Sequence, residues 1–454
     1  MSKPRLIIAS GKEKALLRRH PWIFSGAVKR VEGNPQEGDM VDVCSADGTW
    51  MAAGHFQNES IICKVLTFDR KEADLPVEEL LRRRVHSAVD YRIRLGFFDY
   101  LDVVGKLSEY AHDEHTDVFR MVHAEGDFLP GLVCDWYNGV LVMQAHSIGM
   151  HRLFPQLVEI FKGELRPLGL VSVFDKSSAT LPKASDPSDC YVERPSGRSI
   201  SDHYLWGITP DEWEITENGV KMLINFYEGQ KTGFFIDQRD NRALVQRLAG
   251  GHRVLNCFGY TGGFSLAALR GGAEFVETVD ISKKAIALCN RNVELNFGPD
   301  APHRGTVADV LGFFARPEGR AAQQSTADGR PASAPSNADG RPASAPSGAE
   351  YDFIILDPPA FAKNHRSLQA GLRGYRTINQ RAMEALPDGG LLMTFSCSQA
   401  VSVEDFRTMV FTAAANAKRQ VRIVRTLPHA ADHPVSVYHP EGEYLKGLLL
   451  EVRS

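Results

Sequence analysis

The sequence predicts an α/β protein whose C-terminal part is a mostly parallel sheet covered by helices. Three observations carry that prediction. From about residue 250, strand-like apolar runs alternate with helix-like periodic ones, the pattern of consecutive βαβ units. The first of these strands runs into a glycine-rich turn, Asn256-Cys257-Phe258-Gly259-Tyr260-Thr261-Gly262-Gly263. Later strands end on residues that carry chemistry, namely Asp280, Asp309, Asp357 and Cys397.

At 454 residues the chain is too long for one ordinary core, so two or three domains are expected. A hydrophobic share of 43% with 24% charged residues is that of a soluble globular protein. No apolar run reaches the roughly 18 residues that span a bilayer, and the start Met1-Ser2-Lys3-Pro4-Arg5-Leu6 lacks the apolar stretch of a signal peptide. Seven cysteines without a C-x-x-C pair argue against a disulfide framework or a structural zinc site. The cytoplasm is therefore the expected compartment, with no membrane partner. The net charge of −4 does not advertise nucleic-acid binding, although a local basic face can hide in a balanced total. Arg82-Arg83-Arg84 with Arg92 and Arg94 could form such a stripe, or a solvated helix face.

Residues 1–72 read as a small, mostly β module: a short helix over Lys12–Arg19, then strand-like runs at 39–43, 50–56 and 61–66. Apolar spacing through Leu80, Leu81, Val85, Val89 and Ile93 predicts a helix over 76–95. Within 73–190, strands at 119–124, 129–135, 140–145 and 170–174 and a helix near 151–161 suggest an α+β middle domain. Its turn Tyr137-Asn138-Gly139 has the Asn-Gly signature of a hairpin.

The third domain, 191–454, holds the alternating part. Its strands are expected at 253–258, 275–279, 306–310, 351–356, 390–395, 421–425 and 445–452. Residues 327–336 recur as 338–347 in a stretch rich in Ala, Pro, Ser and Gly. Such a composition cannot bury enough apolar surface to fold, so a disordered loop is expected over about 316–349.

A strand, a glycine turn and a helix bring backbone N–H groups close to a ligand. The spacing departs from G-x-G-x-x-G, which makes a pyrophosphate-binding dinucleotide site the weaker reading. Asp280 lies 21 residues past Gly259 (280 − 259) at the end of the second strand, where a carboxylate can take both hydroxyls of a ribose. Asp309, ending the third strand, is placed to bond an adenine amino group. Capping the following helix is the alternative for both aspartates. Together with Asp357-Pro358-Pro359 these features describe a Rossmann-like methyltransferase domain binding S-adenosylmethionine through Asn256, Phe258, Gly259, Thr261, Gly262, Asp280, Asp309 and Asp357.

Ligands of an open α/β sheet sit outside the carboxyl ends of its strands. Asp357 follows the fourth strand, and Cys397 follows the fifth within Phe395-Ser396-Cys397-Ser398. C5 of cytosine is not nucleophilic until a thiolate adds to C6. That chemistry needs a cysteine and an acid near N3 or O2, roles that Cys397 and Asp357 fit. The base must be unstacked to react, which implies a flipped or single-stranded nucleotide.

At these residues the chain resembles the ribosomal RNA large subunit methyltransferase I family, which methylates C5 of a cytosine in 23S ribosomal RNA. The matching stretches are residues 226–239 (FYEGQKTGFFIDQR), the glycine turn, Asp357-Pro358-Pro359, Gly374-Tyr375, Phe395-Ser396-Cys397-Ser398 and Ala431-Asp432-His433-Pro434. Arg19-His20-Pro21-Trp22-Ile23-Phe24-Ser25-Gly26 looks like the start of a PUA-like β barrel that binds RNA. The resemblance covers nearly the whole chain apart from the repeat. It implies Cys397 as nucleophile, Asp357 as supporting acid, Phe235 and Gln238 as further contacts of the cofactor pocket, and a homodimer acting on 23S ribosomal RNA. Arg18, Arg19, Trp22 and Arg239 are the expected RNA contacts, with Trp22 and Phe24 equally placed to be core.

A guanine-N7 methyltransferase needs no covalent adduct, so Cys397 argues against it. An exocyclic-amine methyltransferase usually carries an aromatic residue directly after Asp-Pro-Pro, where this chain has Ala360 and places Phe361 one later. A non-catalytic RNA-binding factor would not need the intact turn, Asp280 and Cys397. The histidine pairs His112/His115 and His429/His433 lack further ligands at metal spacing, and no metal is expected.

Overall fold

The computed structural model describes residues 3–98, 115–178, 180–181, 203–210, 212–314, 351–362 and 364–454. The insertion expected at 316–349, His112 and Cys190 lie outside the described residues. The chain forms two compact units, Met1–Gln238 with Ala430–Glu443, and Arg239–His429 with Tyr444–Ser454. The boundaries expected near 72 and 190 both fall within the span of the first unit.

Among the described residues, the first unit begins with a six-stranded sheet of β1 (Arg5–Ile8), β2 (Trp22–Phe24), β3 (Val28–Glu32), β4 (Met40–Cys44), β5 (Trp50–Phe56) and β6 (Ile61–Thr67), in the order β2-β6-β5-β4-β1-β3. Leu6, Ile8, Val41, Val43, Ile62 and Val65 close its core. The helix expected over 12–19 is confined to Lys14–Leu17, because Arg19 turns to φ 60° and ends it.

A five-stranded sheet follows, built from β7 (Val118–His123), β8 (Leu132–Tyr137), β9 (Val140–Ala145), β10 (Ser172–Asp175) and β11 (His203–Trp206), in the order β11-β10-β9-β8-β7. The β8–β9 hairpin turns through Asn138 and Gly139, both at positive φ, as the Asn-Gly pair predicts. β8 starts three residues later than expected, since Phe128 (φ 58°) and Gly131 (φ 80°) hold a turn there. The helices Val77–Arg94 and Phe154–Leu165 pack on this sheet through Leu81, Val85, Leu157 and Phe161. The supposed basic stripe is largely neutralised: Arg82 pairs with Glu78, Arg83 with Glu79, Arg84 with Glu72, and Arg92 is buried on Asp127. A further hairpin, β12 (Trp213–Glu217) with β13 (Val220–Ile224), completes the described strands of this unit.

The return segment Ala430–Glu443 is held in the first unit by buried polar contacts. The Arg120 N–H donates to Asp432 Oδ2 (2.7 Å), Arg92 to the Asp432 carbonyl (2.8 Å), and the Tyr91 hydroxyl to the Ala431 carbonyl (2.9 Å). Gly126 has no room for a side chain, because a Cβ there would lie 1.8 Å from the Pro434 carbonyl oxygen. The two bonds that involve a charged group, Arg120 N–H to Asp432 and Arg92 to the Asp432 carbonyl, contribute about 1.5–3 kcal/mol each.

The second unit carries a seven-stranded sheet among its described residues: β14 (Arg253–Cys257), β15 (Phe275–Asp280), β16 (His303–Val307), β17 (Phe353–Leu356), β18 (Gly390–Ser396), β19 (Gln420–Thr426) and β20 (Lys446–Arg453). Its order is β16-β15-β14-β17-β18-β20-β19, with β20 antiparallel to both neighbours and the other pairs parallel. The central strand β17, Phe-Ile-Ile-Leu, is buried on both faces, as helices on both sides of a parallel sheet require. From β14 the chain winds outward to β16, then returns to the other side of β14 for β17 and β18. The carboxyl ends of β14 and β17 therefore flank the switch point, the usual crevice for a ligand.

Candidate active site

The glycine turn is fixed by what surrounds it. Phe258 (φ 59°), Tyr260 (φ 47°) and Gly262 (φ 90°) occupy left-handed conformations between β14 and the helix Gly263–Arg270. A Cβ on Gly259 would lie 2.3 Å from Thr278 Cγ2, and one on Gly262 would lie 2.4 Å from Cys289 Sγ. Beneath the turn, Asn256 donates to Ser265 Oγ (2.8 Å), Ser265 meets Thr278 Oγ1 (2.6 Å), and Thr278 meets His303 Nε2 (2.7 Å). Burial lowers the His303 pKa to about 4, so the ring is neutral. The Asn292 amide bonds the Thr261 carbonyl at 3.3 Å.

Asp280 ends β15 and holds the turn, accepting the Tyr260 N–H on Oδ2 (3.0 Å) and the Ser282 N–H on Oδ1 (2.8 Å). Each oxygen retains a further lone pair. Asp309 is exposed and accepts the Gly312 N–H (2.7 Å), so it does cap the helix Val310–Phe314. Buried Asn256 has an Oδ1 without a donor among the described residues. Residues 256–264 contain no Lys or Arg. A donor set of this kind, acceptors at two adjacent strand ends beside a neutral glycine turn, fits the hydroxyls and amine of S-adenosylmethionine better than a pyrophosphate.

The two residues expected to react, Asp357 and Cys397, lie across the switch point. β17 pairs with β18 in the register Leu356↔Thr394, so Asp357 and Cys397 leave the same edge of adjacent strands. The Cys397 thiol lies 3.9 Å from the Pro358 carbonyl oxygen, next to Asp357. Both residues are half-buried. The other described cysteines, Cys44, Cys63, Cys134, Cys257 and Cys289, are buried. Burial pushes their thiols up, that of Cys289 to about 12, which keeps them protonated and inert.

Two residues that the sequence reading did not single out for a role shape the cysteine loop. The Tyr375 hydroxyl lies 2.9 Å from Ser398 Oγ and donates to the Pro359 carbonyl (3.4 Å), tying the two strand ends together. Lys446, opposite Ser396 in register, donates to the Ser398 carbonyl (2.7 Å). Phe361 packs on Tyr375 with ring centroids 4.7 Å apart. The Gly374-Tyr375 pair was visible in the sequence, but nothing in its spacing placed that hydroxyl.

Other expected site residues fall elsewhere. Phe235 and Gln238 belong to the first unit, where the Lys231 ammonium lies 4.6 Å from the centre of the Phe235 ring and Gln238 is buried. Arg239, expected as an RNA contact, is 1% exposed and lies 3.4 Å from Asp240. Trp22 gives its indole N–H to Glu125 (2.7 Å) and packs edge-on to His439 (4.4 Å), an anchored position, whereas Phe24 is 48% exposed. Arg18 and Arg19 are exposed. Among the described residues no cluster of three or more His, Cys, Asp or Glu side chains could hold a metal ion, and no helix is long and apolar enough to cross a membrane.

The chain is similar to known proteins along nearly its whole length. A PUA-like domain family matches residues 6–68, and an S-adenosylmethionine-dependent methyltransferase family matches residues 120–307. The ribosomal RNA large subunit methyltransferase I of Erwinia tasmaniensis is 35% identical over 453 residues, covering 99% of each chain. That of Aeromonas salmonicida is 36% identical over 451 residues, again covering 99% of each. Among solved structures, a proposed SAM-dependent methyltransferase from Streptococcus mutans superposes with a TM-score of 0.74 at 20% identity, over 98% of this chain and 99% of its own. Another proposed methyltransferase, complexed with SAH, has the same TM-score at 21% identity, with the same coverage. The last two likenesses speak for the fold alone. With full-length relatives at this identity, the chain belongs to the ribosomal RNA large subunit methyltransferase I family, and its cofactor is S-adenosylmethionine.

Proposed function

We propose that the protein methylates C5 of a cytosine in 23S ribosomal RNA through a covalent adduct on Cys397. One observation carries this reading: a half-buried thiol 3.9 Å from the Pro358 carbonyl, on the strand end adjacent to Asp357. In the proposed reaction the Cys397 thiolate adds to C6, and Asp357, in its acid form, gives a proton to N3. The C5–C6 double bond is thereby lost, and its electrons form a C4–C5 enamine as N3 takes the proton, which makes C5 nucleophilic. When bound, S-adenosylmethionine supplies the sulfonium methyl group that C5 takes up. Loss of the C5 proton to solvent, breaking of the C6–S bond and return of the N3 proton to Asp357 restore the aromatic ring and the thiolate.

Asn256, Gly259, Thr261, Gly262, Asp280 and Asp309 are the proposed cofactor contacts on the other side of the switch point. The turn supplies backbone N–H groups, and Asp280 takes the ribose hydroxyls. The homodimer implied by the family likeness is checked by light scattering of the purified chain.

The test is to incubate wild type and Cys397→Ala with 23S ribosomal RNA and labelled S-adenosylmethionine, then digest the RNA and identify the modified nucleoside. The expected result is 5-methylcytosine from wild type and none from the variant. Substantial 5-methylcytosine from Cys397→Ala removes the nucleophile assignment, and 7-methylguanine from wild type removes the substrate assignment.

A further inference from the structure

The first unit contains a cleft that the proposed reaction does not use. It has a volume of about 330 Å³ and is lined by Arg19 and Pro21 before β2, the end of β6, Arg84, Phe128 and Tyr438. That volume lies at the lower end for small-molecule sites, roughly 300–1,000 Å³, and suits a single nucleotide. We propose that the cleft binds one unstacked nucleotide of the RNA substrate, a proposal that rests on the RNA-methyltransferase reading above.

Its walls have the parts such a ligand needs. Phe128 is 49% exposed and Tyr438 44% exposed, and both rings line the cleft. The Arg84 guanidinium lies 5.6 Å from the centre of the Phe128 ring. Aromatic faces combined with arginine are the common platform for an unstacked base. Arg19 and Phe128 both sit at positive φ, 60° and 58°, a conformation that L-residues rarely adopt.

The carboxylates in the cleft are already engaged, so they do not form a free anionic surface. Glu72 holds Arg84 (2.7 Å) and Thr67 Oγ1 (2.6 Å), Glu125 holds the Trp22 indole N–H (2.7 Å), and Asp69 caps the Lys71 N–H (2.8 Å). Arg19 differs from the other charged residues lining the cleft: its guanidinium has no ion pair or hydrogen bond among the described residues. It is the group available to a phosphate. The geometry thus offers a base platform and a phosphate cation in one cavity, and it assigns Trp22 to building the wall through Glu125.

The experiment measures binding of protein-free 23S ribosomal RNA by wild type, Phe128→Ala, Phe128→Trp and Arg19→Ala, with ultraviolet crosslinking and peptide mapping. Stacking losses on alanine substitution predict roughly 5- to 150-fold weaker binding for Phe128→Ala, with Phe128→Trp close to wild type. Arg19→Ala is expected to weaken binding and to lower the salt slope by about one counterion. Crosslinks are expected at the peptides carrying Phe128 or Tyr438. Melting temperatures and S-adenosylmethionine affinity of the variants should match wild type, separating lost contact from lost fold. If wild type binds and methylates the RNA while both alanine variants bind equally well, the cleft assignment is overturned and the reaction stands. Wild type that neither binds nor methylates RNA overturns both.

Discussion

On one side of the switch point, Gly259 and Gly262 are dictated by what any side chain would strike, Thr278 and Cys289, and Asp280 is spent partly on backbone amides of the turn itself. On the other side, Asp357 and Cys397 stand at the ends of two strands, and the loop that carries Cys397 is tied at Ser398 by Tyr375 and Lys446. The proposed cofactor side is therefore made of backbone and close packing, while the proposed acceptor side is made of a few side chains on a common frame. A change on the first side disturbs fold and binding together. A change on the second can remove chemistry and leave the fold intact.

The largest separation is expected from Cys397→Ala. Methyl transfer should fall by roughly 10³-fold or more, as for other covalent nucleophiles, while calorimetry finds S-adenosylmethionine affinity unchanged. Equal losses of both would erase the distinction between the two sides. Gly262→Ala is the converse experiment. The new methyl group meets Cys289 Sγ at 2.4 Å and φ is 90°, so a loss of about 2–4 kcal/mol in stability is expected, together with loss of cofactor affinity. Pairing it with Cys289→Ala should return part of that loss in thermal melts, since the two side chains share one space.

The cofactor side should also respond to acid. The folded-state pKa of His303 is lowered from 6.5 to about 4 by burial, so the unfolded chain binds the proton more readily between those values. The contribution of this histidine is thus full above pH 6.5 and is lost as the pH falls toward 4. At pH 5 the loss is about 2 kcal/mol. Denaturant titrations of wild type and His303→Gln at pH 7 and pH 5 check this, the variant showing the smaller drop. The smallest effect belongs to Tyr375→Phe. Removing the hydroxyl that reaches Ser398 and Pro359 should lower kcat about 3- to 10-fold, with cofactor affinity unaltered in the same calorimetry.

The same contrast explains what could be read in advance. The turn, the strand ends at Asp280 and Asp357, and the alternating sheet are local patterns, and each appears in the structure at or near its expected place. Asp309 shows that one residue type can serve two ends: its side chain caps the following helix, and a carboxylate with one such bond keeps acceptor capacity for the proposed adenine contact. The β12–β13 hairpin was legible but unread: Asn218-Gly219 carries the same positive-φ turn as Asn138-Gly139. The Tyr375 and Lys446 contacts were not legible, because they join residues 23 and 48 positions apart through the register of β18 and β20. Nor could Ala430–Glu443 be placed with the first unit, since a chain's return depends on long-range pairs such as Arg120 with Asp432.

The central claim is that Cys397 bonds to the base, and a trapped intermediate tests it most directly. Ribosomal RNA carrying 5-fluorocytosine at the target has no C5 proton to lose, so release of the thiolate after methyl transfer is blocked. The account predicts a protein–RNA adduct that survives denaturant, depends on S-adenosylmethionine, maps to the peptide containing Cys397 and is absent from Cys397→Ala. Normal 5-methylcytosine formation on unmodified RNA, with no adduct on the fluorinated RNA or with an adduct at another residue, would contradict it.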